Sequence, residues 1–429
     1  MNKRRCQLVT PGIRTRGARR ASPVLLIFAL LLIPRFGYGE GPDSCVECHR
    51  PLPDKLGAAV AKIDGDIHYQ NGLSCADCHG GDPKDPGLTA MEAGKGFRGV
   101  PAKKEIPGFC GRCHSDENYM RRFNPGLSTD QEAQYKTSVH GRRLAEGDEK
   151  VATCVSCHSV HDIRPVNNAQ APVYPANVPR ICAGCHSDAA VMAGYNIPTD
   201  QFAQYQHSVH GVALLVKRDL AAPTCSDCHG NHGAFPPGAD TVAAVCGQCH
   251  GINRDFFIKS PHKDAFHALG LPECVTCHGK HEVLKTSDDM LGIGDLAVCV
   301  TCHTSKTAGY AVAKTLRTRL DDLKTVMGQT EKVLDRAERA GMEVGEIRYE
   351  YQNIHPVLVQ ARNVIHTCSV EALNEVVAEG ERIAAKAGEA GKEALGELHT
   401  RKTMMAIPLG AIGLVVVLLV VKIRDLEKP

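Results

Sequence analysis

The chain has 429 residues, no tryptophan and only 5% aromatic residues, but it contains 20 cysteines and 21 histidines. This length predicts two or three domains. The formal net charge is +2, and it falls to −6 without residues 1–39, because those residues hold eight basic side chains and no acidic one. An acidic mature chain argues against a nucleic-acid partner.

The N-terminus has the pattern of a secretory signal. Basic residues precede the apolar run Val24 to Ile33, and the small residues Gly37 and Gly39 favour cleavage before Glu40. An uncleaved anchor is the alternative, but this run is shorter than the roughly 20 residues that a membrane helix needs. Residues 1–39 therefore predict export from the cytoplasm, and Cys6 is expected to be removed with them.

The next segment contains nine copies of the pattern CxxCH, numbered motifs 1 to 9 in chain order, and they use eighteen of the twenty cysteines. The nine motifs are Cys45/Cys48/His49, Cys75/Cys78/His79, Cys110/Cys113/His114, Cys154/Cys157/His158, Cys182/Cys185/His186, Cys225/Cys228/His229, Cys246/Cys249/His250, Cys274/Cys277/His278 and Cys299/Cys302/His303.

CxxCH is the attachment pattern of haem c. Two thiols add across the two vinyl groups of one porphyrin, and the histidine that follows can bind the iron. Structural zinc and disulfides also use closely spaced cysteines, but neither requires a histidine at the same offset in every copy. The sequence therefore predicts nine covalently attached c haems. This glycine- and proline-rich segment is too poor in large apolar residues for an ordinary core, so the porphyrins are expected to form it.

The chain repeats internally at roughly 70 residues. The stretch STDQEAQYKTSVHG at 128 matches PTDQFAQYQHSVHG at 198, and TCVSCHSVH at 153 matches TCSDCHGNH at 224. Each repeat reads CxxCH, then S-x-H, then CxxCHxxH, and a shortened copy runs from 245 to 281. Tyr135 and Tyr205 recur in the repeat, and we expect them to pack rather than to act in catalysis.

Residues 45–303 contain eighteen histidines, of which nine belong to the motifs. The other nine are the candidate ligands for the second axial position of each iron: His68, His140, His161, His207, His210, His232, His262, His267 and His281. This parity predicts two histidines per iron and no open iron. His232 is too close in sequence to His229 to reach round the same ring, so we expect it to bind a neighbouring iron and to crosslink two haems.

These features resemble the bis-histidine multihaem cytochromes c of bacterial respiration, which include the class III and doubled-CxxCH groups. The resemblance covers residues 45–303 and rests on the dense CxxCH motifs, the CHxxH doublets and the S-V-H-G segments. It implies little regular sheet, short helices at the motifs, and haems in alternating stacked and perpendicular contact.

Apolar stripes at helical spacing replace the cysteine motifs after His303. They predict an antiparallel helical hairpin and a third helix that leads into the apolar run Met404 to Val421, which is long enough to cross a membrane. His355 and His366 share one predicted helix face; polar packing is the favoured interpretation, and contact with a haem is the alternative. Cys368 has no motif partner and is expected to be a buried thiol that does not bind haem.

The sequence thus predicts a mainly α protein with much irregular structure. Its parts are a signal peptide (1–39), a nonahaem cytochrome c domain (40–304), a helical hairpin or bundle (305–400), a transmembrane anchor (404–421) and a cytoplasmic tail (422–429). We expect a periplasmic electron carrier on the cytoplasmic membrane. Its expected partners are redox proteins and a membrane quinol dehydrogenase, and its oligomeric state is undetermined. A nitrite or hydroxylamine oxidoreductase with one open haem is the alternative.

Overall fold

The computed structural model describes residues 43–239 and 241–427, so the predicted signal peptide lies outside the described residues. Within those ranges the chain is mainly helical and contains no strand. This confirms the predicted fold class. The helices before residue 304 are short and separated by irregular segments, whereas the helices after it are long.

Most CxxCH motifs lie in a short helix that ends at the motif histidine. These helices are Ser44–His49, Cys75–His79, Ile106–His114, Cys154–His158, Val178–His186, Cys225–His229 and Glu273–His278. The other two motifs lie at Val242–Cys246 and at the 3-10 turn Val298–Thr301. One helical turn brings the first and second cysteines of a motif to the same side, as attachment to a single ring requires.

Further short helices connect the motifs. They are Asp54–Lys62, Ile67–Gln70, Glu117–Met120, Gln131–Thr137, Val139–Ala145, Ala189–Met192, Gln201–His207, Val209–Gly211, Gly251–Ile258 and Pro261–Leu269, with a π-helix at Val212–Val216. Apolar clusters in this part are small: one contains only Val46, Val60 and Ile63 as buried residues. The described side chains alone therefore form no large core here.

The large hydrophobic core lies in the C-terminal region. Ala308–Arg339, the broken pair Gly345–Tyr351 and Ile354–Val364, and the long helix Val370–Leu426 pack as a bundle. Fully buried leucines on the first helix meet a row of small residues on the last one, and a Cβ at Gly380 would lie only 2.6 Å from Leu323 Cδ1. Glycine and alanine in that row thus allow the two helices to approach closely.

The last helix runs without a break from the bundle into the apolar segment. It is the one helix in the described residues that is long and apolar enough to cross a membrane, and none of its apolar window is buried inside the protein. The side chains from Met404 to Ile423 are exposed, which distinguishes the segment from the core helix of a soluble domain. Its length and composition are consistent with a membrane anchor.

Candidate haem centres

Local hydrogen bonds explain why several motifs form a helical turn. Ser74, Thr153 and Thr224 stand directly before motifs 2, 4 and 6, and each forms a capping box with the third residue of the helix. Such caps satisfy backbone groups that would otherwise lack partners. The capped turn presents the two cysteines and the histidine of the motif as one rigid unit.

The chain turns sharply after the even-numbered motifs. Gly80, Gly230 and Gly279 follow the motif histidines with φ values of 71°, 78° and 74°, and Ser159 takes the same place after motif 4 with a φ of 63°. Glycine adopts this conformation without steric cost. The turn directs the chain away from its own motif, so the last histidine of each CHxxH doublet is free to reach another one.

The two cysteines of a motif differ in burial. The first cysteine is half-buried in all nine motifs, whereas the second is exposed in five of them: Cys48, Cys185, Cys228, Cys249 and Cys302. The second cysteine lies at or just beyond the last turn of its helix in every motif. Attachment of porphyrin at these sulfurs stays a prediction from the CxxCH spacing.

The structure brings eight motif histidines against eight other histidines, with ring centroids 5.9–6.3 Å apart. The pairs, motif histidine first, are His79 with His161, His114 with His68, His158 with His232, His186 with His140, His229 with His281, His250 with His210, His278 with His366 and His303 with His262.

This separation fits a metal ion between the two rings. An imidazole nitrogen lies about 2 Å from a bound transition-metal ion, and the ring centroid lies roughly 1 Å farther away. Two imidazoles on opposite sides of one ion therefore have centroids about 6 Å apart. The residues of these eight pairs, with the adjacent CxxC thiols, thus fit a covalently attached haem with two histidine ligands.

Hydrogen bonds at Nδ1 orient four of these rings. The Nδ1 atoms of His79 and His366 lie 2.9 Å from the carbonyl oxygens of Gly99 and Asn363. Further partners are Asp66 Oδ1, 3.0 Å from His68 Nδ1, and Cys368 Sγ, 3.2 Å from His262 Nδ1. A carbonyl or carboxylate partner places the proton on Nδ1 and leaves Nε2 free to bind a metal.

Burial keeps most of these imidazoles neutral. Desolvation lowers the pKa of eleven of the sixteen paired histidines below the usual value, namely His114, His140, His158, His161, His186, His210, His229, His232, His262, His278 and His281. A neutral imidazole has a lone pair for iron, whereas an imidazolium does not.

The serine before the histidine of each S-x-H segment, and the glycine after it, are required by the close backbone packing at the start of a helix. Ser208 is fully buried; its hydroxyl donates to the Tyr205 carbonyl at 2.6 Å and accepts from the Gly211 amide at 2.9 Å. A Cβ at Gly211 would lie 1.9 Å from that same carbonyl oxygen, so only glycine fits. Ser138 and Gly141 repeat the arrangement. The segment therefore fixes the backbone beside His210 and His140.

The repeated tyrosines hold this helix start against the next motif. Tyr135 donates a hydrogen bond to the Ala152 carbonyl at 2.7 Å, and Tyr205 donates to the Pro223 carbonyl at 2.8 Å. Both acceptors lie just before a capped CxxCH helix. This is a packing role, and the structure gives these hydroxyls no contact with a paired histidine.

Three predicted residues stand apart from the pairs. His207 and His267 are exposed, and neither contacts a motif histidine. His49 of motif 1 has no second imidazole opposite it, although all 21 histidines lie in the part of the chain that the structure describes.

His366, for which polar packing was the favoured interpretation, lies instead against His278. This position fits the alternative interpretation, contact with a haem, although His366 lies outside any repeat.

Neighbouring motifs lie beside one another in chain order. Cysteines of consecutive motifs lie close enough at every step for one thiol to raise the pKa of the other. The neighbouring cysteines are Cys45 and Cys75, Cys78 and Cys113, Cys110 and Cys154, Cys157 and Cys182, Cys182 and Cys225, Cys228 and Cys246, Cys246 and Cys274, and Cys277 and Cys299. The nine attachment sites therefore form one continuous row. Motif 1 stands at one end of it, and motif 9 stands at the other, next to the helical bundle.

The comparison with protein families agrees with this geometry. Residues 67–187 match the family model of cytochrome c3. The matched segment includes motifs 2 to 5, and the family supports covalently bound c haem and a multihaem electron-transfer protein. None of the curated proteins or solved structures compared with the chain matches it.

Proposed function

We propose that this protein is a membrane-anchored nonahaem cytochrome c that relays electrons between the quinone pool, or a membrane quinol dehydrogenase, and redox partners outside the cytoplasm. The observation that supports it best is the set of eight opposed histidine pairs beside CxxC thiols. Haem c, when bound, supplies an iron that accepts and releases one electron.

The paired histidines favour electron transfer over catalysis at these eight sites. An imidazole on each side of the ring leaves no axial position for a substrate. Rings that are buried and hydrogen bonded also move little, which keeps the surroundings of the iron similar in both oxidation states. The continuous row of attachment sites supports a relay along the chain, from motif 9 beside the bundle to motif 1 at the far end.

The C-terminal helix supports a location at the membrane. In the proposal, residues 404–421 span the cytoplasmic membrane and residues 422–429 are cytoplasmic. The haem domain then lies on the outer side, where c haem is attached. The negative net charge of the mature chain favours redox partners with a basic surface over nucleic acid.

Three measurements on the purified full-length protein test the proposal. Intact-protein mass spectrometry should show nine haem additions, and reductive titration should consume nine electrons per chain. The reduced protein should then pass electrons rapidly, in stopped-flow mixing, to a basic monohaem cytochrome c of higher potential, and added salt should slow this reaction. Fewer than nine haems, or transfer too slow to compete with reoxidation by dissolved oxygen, would contradict the proposal.

A further inference from the structure

The second histidine comes from one place in the sequence for the even-numbered motifs and from another place for the odd-numbered motifs, so the motifs form an even and an odd series. Motifs 2, 4 and 6 receive theirs from the CHxxH doublet of the next even motif, namely His161, His232 and His281. Motif 8 has no later doublet in the chain, and His366 of the bundle takes that place. Each of the four even-numbered motifs therefore has a second histidine.

The odd series takes its second histidine from upstream. His68, His140, His210 and His262 precede their partner histidines of motifs 3, 5, 7 and 9 by 46, 46, 40 and 41 residues. The same rule applied to His49 points to residues 3–9. That stretch, KRRCQLV, contains no histidine and lies within the predicted signal peptide. Motif 1 is thus the first member of a series whose upstream ligand does not exist in the chain.

No other histidine is left to serve motif 1. Nine of the 21 histidines belong to the motifs and eight are paired with them, which leaves His207, His267, His355 and His399. All four are exposed, and none contacts His49. Motif 1 therefore lacks a second histidine because the sequence supplies too few histidines, and not because one ring is turned away.

The helix of motif 1 is held in place by its own packing contacts. Its helix packs against Asp54–Lys62 through Val46 and Val60, and Gly57 lies so close to the preceding loop that a Cβ would be 1.9 Å from the Leu52 carbonyl oxygen. This contact fixes the helix that carries His49. The side chain of Leu56 on the neighbouring helix is exposed.

We infer that the iron bound by His49 has an open axial position that takes a small exogenous ligand, either a neutral diatomic molecule or a small anion with a donor lone pair. The inference rests on the proposed haem attachment at Cys45 and Cys48. It places a ligand-binding site at the end of the row farthest along the chain from the membrane helix, where the relay would meet an exogenous molecule.

Carbon monoxide is the probe that tests this site. The dithionite-reduced full-length protein should bind one carbon monoxide per chain, with a spectral change corresponding to one haem in nine. The double variant Cys45→Ala/Cys48→Ala, which lacks only the first attachment site, should lose that change and keep eight haems by mass. The matched variant Cys299→Ala/Cys302→Ala, at the other end of the row, should still bind carbon monoxide at motif 1.

Electron paramagnetic resonance of the oxidised wild-type protein provides a readout that does not depend on any variant folding. We expect eight low-spin irons and one high-spin iron, and added imidazole should convert the high-spin signal to low spin. Nine low-spin irons without carbon monoxide binding would overturn the inference, because another group would then fill the position. Carbon monoxide binding that persists in the Cys45→Ala/Cys48→Ala variant would also overturn it. Neither result would affect the count of nine haems or nine electrons.

Discussion

The ring of His366, on the 3-10 turn Ile365–Thr367 of the helical bundle, faces the ring of His278 with centroids 6.2 Å apart and planes inclined by 28°. The bundle therefore contributes a candidate ligand to the eighth haem. His366 Nδ1 is held 2.9 Å from the Asn363 carbonyl oxygen, so its Nε2 is free to face the iron. This relationship makes the bundle part of the haem domain and not only a connection to the membrane.

Replacing His366 by alanine should remove one axial ligand. We expect one iron to change from low spin to high spin in the oxidised protein, with the other pairs unaffected and all haems still attached. Near-infrared magnetic circular dichroism and electron paramagnetic resonance would measure the change. His355→Ala is the matched control, because His355 lies on the same helical segment but is exposed. Equal spectra for both variants would exclude His366 as a ligand.

The pattern of the repeats was sufficient to predict the general design but not every ligand. The S-x-H and CHxxH positions recur in the sequence, and the structure brings their histidines to motif histidines. His207 and His267 could be counted as ligands only through parity, and both lie on exposed helix surfaces. His366 comes from a distant segment and takes the place of the CHxxH histidine that a further repeat would have supplied. Such a contact depends on how the bundle docks, which local sequence does not encode.

Cys368 should tune the ninth haem through His262. Burial raises the pKa of the Cys368 thiol to about 11, so it is neutral at pH 7 and its sulfur accepts from Nδ1–H of His262 across 3.2 Å. This bond makes the imidazole a stronger donor and favours ferric iron. Cys368→Ala should raise the potential of one haem by tens of millivolts, where a tenfold change in relative affinity corresponds to about 59 mV.

Cys368→Ser is the matched control for this prediction, because a hydroxyl keeps the acceptor at nearly the same place. Its potential should stay near that of the wild-type protein or fall below it. Spectroelectrochemical titration of the three proteins would decide the matter. If the alanine and serine variants titrate identically to the wild type, the thiol has no influence on the iron and is only a packing residue.

Asp288 should stabilise the contact between the haem domain and the bundle. Its carboxylate binds Arg362 in a bidentate manner at 2.8 Å and Lys324 at 2.9 Å, and its side chain is only 12% exposed. These cations lower the pKa of Asp288 from 3.8 to about 2, and the hydrogen bonds from Arg362 are the largest cause. Asp288→Asn should lower the free energy of unfolding by about 2 kcal/mol at pH 7.

The pH dependence of this effect has a defined sign. Because the folded pKa of Asp288 is depressed, its stabilising contribution is present above pH 3.8 and is lost as the pH falls toward 2. The difference in unfolding free energy between wild type and Asp288→Asn should therefore shrink across that window. Asp289→Asn is the control: its partner is Arg317 at 3.0 Å, but its side chain is 57% exposed, so we expect less than about 1 kcal/mol. Chemical denaturation at several pH values would measure both.

The C-terminal region illustrates which structural features periodicity can predict. Leu316, Leu320 and Leu323 form the predicted stripe, and all three are buried in the bundle core. The continuity of Val370–Leu426 was less evident, because Pro408 lies within the apolar run. Proline removes only one backbone hydrogen bond, and the helix continues through it. One continuous helix therefore joins the bundle to the apolar segment.

Ending the chain after Lys402 should separate anchoring from haem binding. The apolar residues beyond this point are exposed and contribute nothing to the bundle core, which extends to Leu398. We expect the shortened protein to be soluble without detergent and to keep nine haems and the same numbers of low-spin and high-spin irons as the full-length protein, because His366 and Cys368 are retained. A chain ending at Thr304 should also be exported, but it lacks His366 and should gain a high-spin iron at the eighth haem. If the Lys402 form remained bound to membranes after a high-salt wash, the apolar helix would not be the anchor.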